Sequence, residues 1–442
     1  MIPTEKLRSF GNPLERSTAL AMDASDPLAK FRDQFQISDP DCCYLDGNSL
    51  GRLPLATVDS VNHFLTEEWG TELVDGWAHW IDQATEAGNM LGRVTLGAAE
   101  GQTLVQDTTS VNFYQLCLAA INARPGRKTV IIDAANFPTD RFILQGIAQQ
   151  LGLNIVTLNN DGSGGPGAVD VTTDCELVTP EVLAPLLNDD VALVTLQVIH
   201  YRSGAQPDVQ AITELCRKNG SLVVWDASHA VGSVDLKFDE WGVDLAVGCT
   251  YKYLNSGPGA PAWLYVRKSL QQQIGVPIQG WFAQEKQFEM GPFFEPTTTE
   301  MRRFQIASPS IIGIRMVQSS LRMIEEAGIA AIEAKAQLGT ELMLALFDAW
   351  LAPLGFTLIT PRDANQRGGH ISIVHPDAKK IAAALRTVKN VIPDFRTPSG
   401  IRLAIAPLPT SFVEVYDGFA RLRDLVASRE YLNIEDNGSR VT

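Results

Sequence analysis

CTYKYLNSGPG, from Cys249 to Gly259, begins where the apolar run Leu245-Ala246-Val247-Gly248-Cys249 ends, and sets Lys252 just beyond what reads as a buried strand. A lone lysine is ordinarily a solvent-facing residue. One projecting from the end of a buried strand is costly unless its amine does chemistry. Asp226 lies 26 residues earlier, in WDASHAVG (Trp225 to Gly232). Together they match the needs of pyridoxal phosphate (PLP) chemistry. A desolvated lysine holds the cofactor aldehyde as a Schiff base, and a carboxylate keeps the pyridine nitrogen protonated so that the ring can accept electrons.

Outward from that point, short apolar runs alternate with helix-period segments between about residues 95 and 270. Strands are expected at Thr129–Ile132, Asn154–Leu158, Val191–Val198, Ser221–Trp225, Leu245–Cys249 and Ala262–Val266. Helices are expected at Ser110–Ala123, Asp140–Leu151 and Val209–Lys218. Fully apolar strands spaced by helices predict an α/β fold with a mostly parallel sheet covered on both faces. Ligands collect beyond the carboxyl ends of such strands, where Asp226 would stand. After Pro309 the pattern turns to long helices, Ile311–Ala327 and Ile329–Trp350, followed by a short α/β segment. The expected division is an N-terminal segment (1–60), a large domain (61–310) and a small C-terminal domain (311–442). DGSGGPG (Asp161 to Gly167) lacks the Lys-Ser/Thr of a phosphate loop and reads as a surface loop.

Other stretches join the lysine. DTTSVN (Asp107 to Asn112) sets hydroxyls ahead of an apolar-periodic helix, where Thr108 or Thr109 serves as N-cap or the helix end receives a phosphate. In NFPTDR (Asn136 to Arg141), Phe137 is either a core aromatic or a stacking surface for a flat ring. Thr139 and Asp140 either cap the next helix or reach the ring's polar edge. His229 follows Asp226 on the same loop. Asn48 and Ser49, in the turn-rich LDGNSLGRLP, are a polar pair of the kind a loop carries to a ligand. Arg402 interrupts an apolar strand-like run in PSGIRLAIAPLP, so it needs either a structural carboxylate or a substrate carboxylate as partner.

The 442-residue chain carries net charge −15, without the dense basic runs that a nucleic-acid backbone requires. No run of about 20 apolar residues suggests a membrane span, and the N-terminus lacks a secretory h-region. The six cysteines form no CxxC and the six histidines no clustered ligand spacing, so neither a disulfide framework nor a metal is expected. The expected compartment is a reducing cytoplasm.

In order and spacing, LDGNSLG, DTTSVN, NFPTD, WDASHAVG, TYKYLNSGPG, GWF (Gly280 to Phe282) and the GIR…APL segment resemble the kynureninases, from about Tyr44 to Leu425. The resemblance implies the fold type I (aspartate-aminotransferase-like) architecture, with a mostly parallel seven-stranded sheet and a small C-terminal α/β domain. It also implies hydrolytic Cβ–Cγ cleavage of kynurenine or 3-hydroxykynurenine to alanine and an anthranilate. Lys252 would then bind the PLP aldehyde and move the Cα proton, Asp226 pair with the ring nitrogen, and Phe137 stack on the ring. Thr109 and Ser110 would hold phosphate, with Thr139, Asp140, His229 and Tyr251 nearby; Tyr251 would be a proton donor. Arg402 would take the substrate α-carboxylate beside Asn48 and Ser49. Trp281, with Ser308, would reach the cofactor phosphate of a neighbouring subunit, making the active unit a homodimer.

The chain also departs from the family pattern. GWFAQ stands for the usual GWFGH, so Ala283 and Gln284 are unusual. Gln197 replaces a small hydroxyl residue ahead of HYRSG (His200 to Gly204), Ala307 another hydroxyl, and Pro409 a tyrosine. Three alternatives therefore stand beside the main reading: a hydrolase for another 2-amino-4-oxo acid, a class V aminotransferase or desulfurase relative, and a non-catalytic protein that keeps the fold.

Overall fold

The computed structural model describes residues 3–159, 177–296 and 301–433. Seven strands form the large sheet: β1 (Thr103–Val105), β2 (Thr129–Asp133), β3 (Asn154–Leu158), β4 (Val191–Gln197), β5 (Leu222–Asp226), β6 (Leu245–Gly248) and β7 (Trp263–Val266). Their order is β1-β7-β6-β5-β4-β2-β3. From β6 to β3 every neighbouring pair is parallel, while β7 runs antiparallel to β6 and to β1. Central strands such as TVIID, VALVTLQ and LVVWD are buried at every position, as expected for a sheet with helices on both faces. Each expected strand is present within a residue or so. The short β1 gave no periodic signal, because three residues are too few to show a period.

The helix Thr109–Asn122 packs beneath the sheet with Phe113, Leu116 and Cys117 fully buried. Pro138–Leu151 and Val209–Asn219 lie close to their expected bounds, and both end on a left-handed glycine, Gly152 and Gly220.

A second sheet is four-stranded and antiparallel: Asp394–Arg396, Gly400–Ala404, His370–Val374 and Thr357–Leu358 in that order. One face, with Ile371, Ile373, Ile401 and Leu403, joins an apolar core shared with the helices Ile329–Leu346, Ala378–Val388 and Phe412–Ala427. Alternation along the strands puts His370, Ser372, Asp394 and Arg402 on the opposite face.

The expected boundary at residue 311 does not match the packing. Ile314, Val317, Leu321 and Ile324 of the helix Ile311–Ala327 belong to the core of the large sheet. The crossover falls inside the next helix, where Ile332 packs on the first core and Leu338 and Leu342 on the second. The N-terminal segment is also divided, with Phe31 and Phe35 on the first core and Met22, Cys43 and Leu45 on the second. Two consecutive amphipathic helices look alike in sequence, so periodicity does not reveal which core each serves.

The two units are stitched together where the loop after β4 meets the strand starting at His370. Gly368 N–H donates to the Gly204 carbonyl (2.9 Å), and Gln206 N–H to Gln366 (2.8 Å). Gly204 adopts φ +76°, and a Cβ there would stand 2.6 Å from the His370 carbonyl, so only glycine fits. The glycine-rich run 161–167 and Cys175 lie outside the described residues.

Candidate active site

A cavity of about 290 Å³ opens at the carboxyl ends of the parallel strands. It is lined by residues from five loops, among them Ser110, Phe137, Asp140, Asp226, His229 and Lys252. Thr109, Thr139 and Tyr251 line it too, so nine of the expected cofactor residues meet in one place. Each is there for a local reason. Thr108 caps the helix Thr109–Asn122 by accepting Val111 N–H (3.3 Å), which leaves the first turn, with Thr109 and Ser110, facing the cavity. Pro138 starts the next helix, so Phe137 is held in extended backbone just ahead of it. Asp226 ends β5, and its Oδ1 accepts Ser228 N–H (2.8 Å), turning the chain so that His229 follows into the cavity.

Lys252 Nζ lies 2.8 Å from His229 Nε2 and 6.0 Å from the ring centre of Phe137. Burial lowers the pKa of its ammonium, and burial followed by the Lys252 charge pushes His229 well below the usual histidine range. Asp140 is held well above the ordinary carboxylate range by burial and then by the charge of Asp226. The Tyr251 phenol is raised by the neighbouring Cys249 and by burial, which keeps its proton available. The LDGNSLG loop presses on this lysine turn. Gly51 N–H donates to the Tyr251 carbonyl (2.8 Å), and a Cβ on Gly51 would meet the Lys252 carbonyl at 2.4 Å.

These residues fit PLP by their own chemistry. A depressed lysine amine, a carboxylate at a strand end, an aromatic beside the amine and a helix N-terminus match its aldehyde, ring nitrogen, ring face and phosphate.

Arg402 is fully buried. Its Nε contacts the Asp394 carboxylate, Nη1 donates to the Tyr201 carbonyl (2.5 Å) and Nη2 to Ser49 Oγ (2.8 Å). Both readings of this arginine therefore stay open, since it has a structural carboxylate and also N–H groups that these contacts leave over. Asn48 is wholly buried, and neither end of its amide finds a hydrogen-bond partner among the described residues.

Five expected residues do not line the cavity: Asn48, Ser49 and Arg402, which form the group just described, and Trp281 and Ser308. Trp281 is 41% exposed and sits edge-on to Phe282 (4.6 Å). Ser308 lines a separate apolar groove with Phe64, Trp69, Trp77 and Trp80. Gln197, Tyr201 and Ser228 line the cavity without having been singled out as site residues. Gln197 and Ser228 flank the matched strand end Asp226, in register or two residues on, and that position was the available signal.

Comparison with known proteins agrees with this geometry. Residues 332–422 match the family model described as the kynureninase C-terminal domain. Kynureninase from Pseudomonas fluorescens is 34% identical over 417 residues, covering 93% of this chain and 95% of that protein. Kynureninase from Burkholderia pseudomallei (strain 1106a) is 34% identical over 418 residues, with the same coverage. Among solved structures, the apo cysteine desulfurase of Thermococcus onnurineus NA1 superposes with TM-score 0.75 at 17% identity, covering 90% of this chain and 98% of that one. A C-DES variant with glycine covalently linked to its PLP cofactor gives 0.73 at 17% identity, covering 89% and 99%. The desulfurase likeness is one of fold, and the 34% identity across nearly the whole length decides the family: the chain belongs to the kynureninase family of PLP-dependent enzymes.

Proposed function

We propose that this kynureninase-type enzyme cleaves the Cβ–Cγ bond of kynurenine or 3-hydroxykynurenine with water, giving alanine and an anthranilate, in the cavity around Lys252. The observation that carries this assignment of roles is the buried, amine-lowered Lys252 facing Asp226 across the mouth of the parallel strands.

When bound, PLP supplies an electron sink for negative charge on the substrate carbons. Lys252 Nζ would hold the cofactor aldehyde and would take the Cα proton, a role that its lowered pKa favours. Asp226 keeps the ring nitrogen protonated. Asp140, whose charged form is disfavoured by burial and by the charge of Asp226, lines the same cavity. Thr109, Ser110 and the N–H groups of their helix turn would hold the phosphate, and Phe137 and Thr139 would hold the ring. Tyr251 Oη donates the proton that completes alanine at Cβ. Arg402 binds the α-carboxylate, with Ser49 orienting the guanidinium and Asn48 behind it.

Trp281 and Ser308 complete the phosphate site of a second subunit. Supporting this is a broad exposed apolar surface beside them, with Trp69 56%, Leu73 63%, Val74 76% and Phe288 68% exposed. Patches of that kind mark association surfaces. Five described cysteines are free, in keeping with a reducing cytoplasm.

The test is to supply PLP and kynurenine to the purified chain, follow alanine and anthranilate by mass, and reduce with borohydride. The cofactor should be trapped on the peptide bearing Lys252. Trapping on another lysine would overturn the assignment.

A further inference from the structure

The helices Pro3–Ser9, Arg16–Ala24, Ile329–Leu346 and Phe412–Ala427 meet around a second cavity, of about 270 Å³, which shares no residue with the one around Lys252. Its lining is mostly apolar, with Phe10, Met22, Leu338 and Phe412 among the walls. Lys335 is the exception. Its side chain is 5% exposed, and Nζ stands 2.7 Å from Asp26 Oδ2. An ammonium carries three N–H donors, and Asp26 is the only acceptor that Lys335 has among the described residues. Loss of water lowers the pKa of this ammonium, and the Asp26 carboxylate works against that fall. A buried cation with donors to spare, opening on an apolar cavity, is suited to an anion with an apolar body.

We propose that this cavity binds a small aromatic monocarboxylate, with its carboxylate on Lys335 Nζ and its ring among Phe10, Met22 and Phe412. Charge selects the anion, because the lining sets two ammonium groups, Lys6 and Lys335, against the single carboxylate of Asp26. Depth selects a single negative charge. Lys6 is exposed, so Lys335 is the one buried ammonium, and a second carboxylate would be set against apolar walls. The walls select the ring, since aromatic and thioether side chains make favourable contacts with a flat aromatic body. The Phe412 ring stands 5.6 Å from Nζ, so a carboxylate held there brings its own ring within reach. The volume, just below the 300 Å³ or so at which drug-sized sites begin, fits one ring rather than several.

The place in the fold gives such a ligand leverage. Along Ile329–Leu346 the packing changes over from the first core at Ile332 to the second at Leu338, and Lys335 lies between them. On the N-terminal side, Asp23 accepts Phe412 N–H (2.7 Å) and Val413 N–H (3.0 Å). A carboxylate on Lys335 thus sits where the N-terminal segment, the crossover helix and the start of Phe412–Ala427 join, and stabilises the folded chain by mass action. The site is independent of the reaction at Lys252.

The experiment is a calorimetric titration of benzoate into the PLP-loaded enzyme, with benzamide as the uncharged comparison. One variant is Lys335→Met combined with Asp26→Asn, which removes both members of the ion pair and strands neither. The other is Ala334→Trp, which fills the cavity from an exposed position and keeps the pair. Each variant should lose one equivalent of benzoate per chain, together with the rise in melting temperature that benzoate gives the wild type. At the site so removed, benzoate should bind about 10- to 150-fold more tightly than benzamide. Benzoate held at Arg402 is common to all three proteins and drops out of the difference. The proposal is overturned by a wild type that takes up no benzoate, by benzamide binding there as tightly, or by full stoichiometry in folded Ala334→Trp. That last variant decides the matter even where the double variant does not fold.

Discussion

Arg402 and Asp394 are register partners on neighbouring antiparallel strands, with guanidinium and carboxylate in contact and both residues about 1% exposed. Arg396 flanks the same carboxylate at 3.0 Å, so Asp394 lies between two cations. The arrangement lets Arg402 stay charged in a buried place before any substrate arrives. Its leftover N–H groups are then fixed in direction by Ser49 and Tyr201.

Removing the guanidinium should therefore have two separable effects. Arg402→Ala should lower kcat/KM by about 30- to 1,000-fold, the loss of a charge-assisted pair worth roughly 2–4 kcal/mol. It should also destabilise the fold by up to about 3–5 kcal/mol by stranding Asp394, less whatever Arg396 compensates. Adding Asp394→Asn should restore the melting temperature without restoring kcat/KM. Recovery of both would make Arg402 a structural residue only.

Subunit complementation tests the shared site. Lys252→Ala and Trp281→Ala protomers, each inactive alone, should regain activity when mixed under exchanging conditions. Random pairing makes half the dimers mixed, each with one intact site of two, so recovery should approach about a quarter of wild type. A monomer at full activity in dilute solution would refute the shared site.

Asp46 gives the chain a stability dependence on pH. It is 8% exposed, and burial first, then the charge of Asp394, pushes its pKa up to about 6. A carboxyl whose folded pKa exceeds its unfolded value of about 3.9 favours the fold fully below that lower pH and loses the contribution as pH rises through about 6. Relative to Asp46→Asn, the wild type should thus be most stable near pH 4 and lose up to about 3 kcal/mol by pH 7. Paired thermal melts across that range check this, and a difference that stays flat with pH contradicts it.

The sequence was most readable where chemistry coincides with a strand end. Lys252, Asp226 and Phe137 each follow a fully apolar run, and the loop after a parallel strand has one place to go. It was least readable where contacts join distant segments. Asp394 alternates with Arg402 across a hairpin, but nothing local to Asp394 announces a buried charge. The packing of Ile311–Ala327 on the large core depends on partners such as the helix Leu55–His63, some 250 residues away, which periodicity does not encode. Trp281 and Ser308 form no part of the cavity in one chain, so their proposed role rests on a second copy.

The aryl end of the substrate is where the unusual residues matter. Gln284 accepts Glu295 N–H at 2.7 Å and donates to the Phe293 carbonyl, closing a hairpin, and the Pro409 carbonyl accepts from Arg32. Both residues are thus committed to holding their own chain, and Ala283 is small and buried. None of them offers a free polar group to grip a ring hydroxyl. A site that gives the ring hydroxyl no polar partner separates the two substrates by no more than about 100-fold. Kynurenine and 3-hydroxykynurenine should accordingly both release alanine, with kcat/KM values within that factor of each other. Aliphatic 2-amino-4-oxo acids should be slower, because they forfeit the ring's apolar contact. A preference above 1,000-fold for the hydroxylated substrate would require a polar partner that these residues do not provide. Alanine from the aliphatic acids alone would move the enzyme to a different 2-amino-4-oxo acid, and alanine from none would remove the hydrolase assignment.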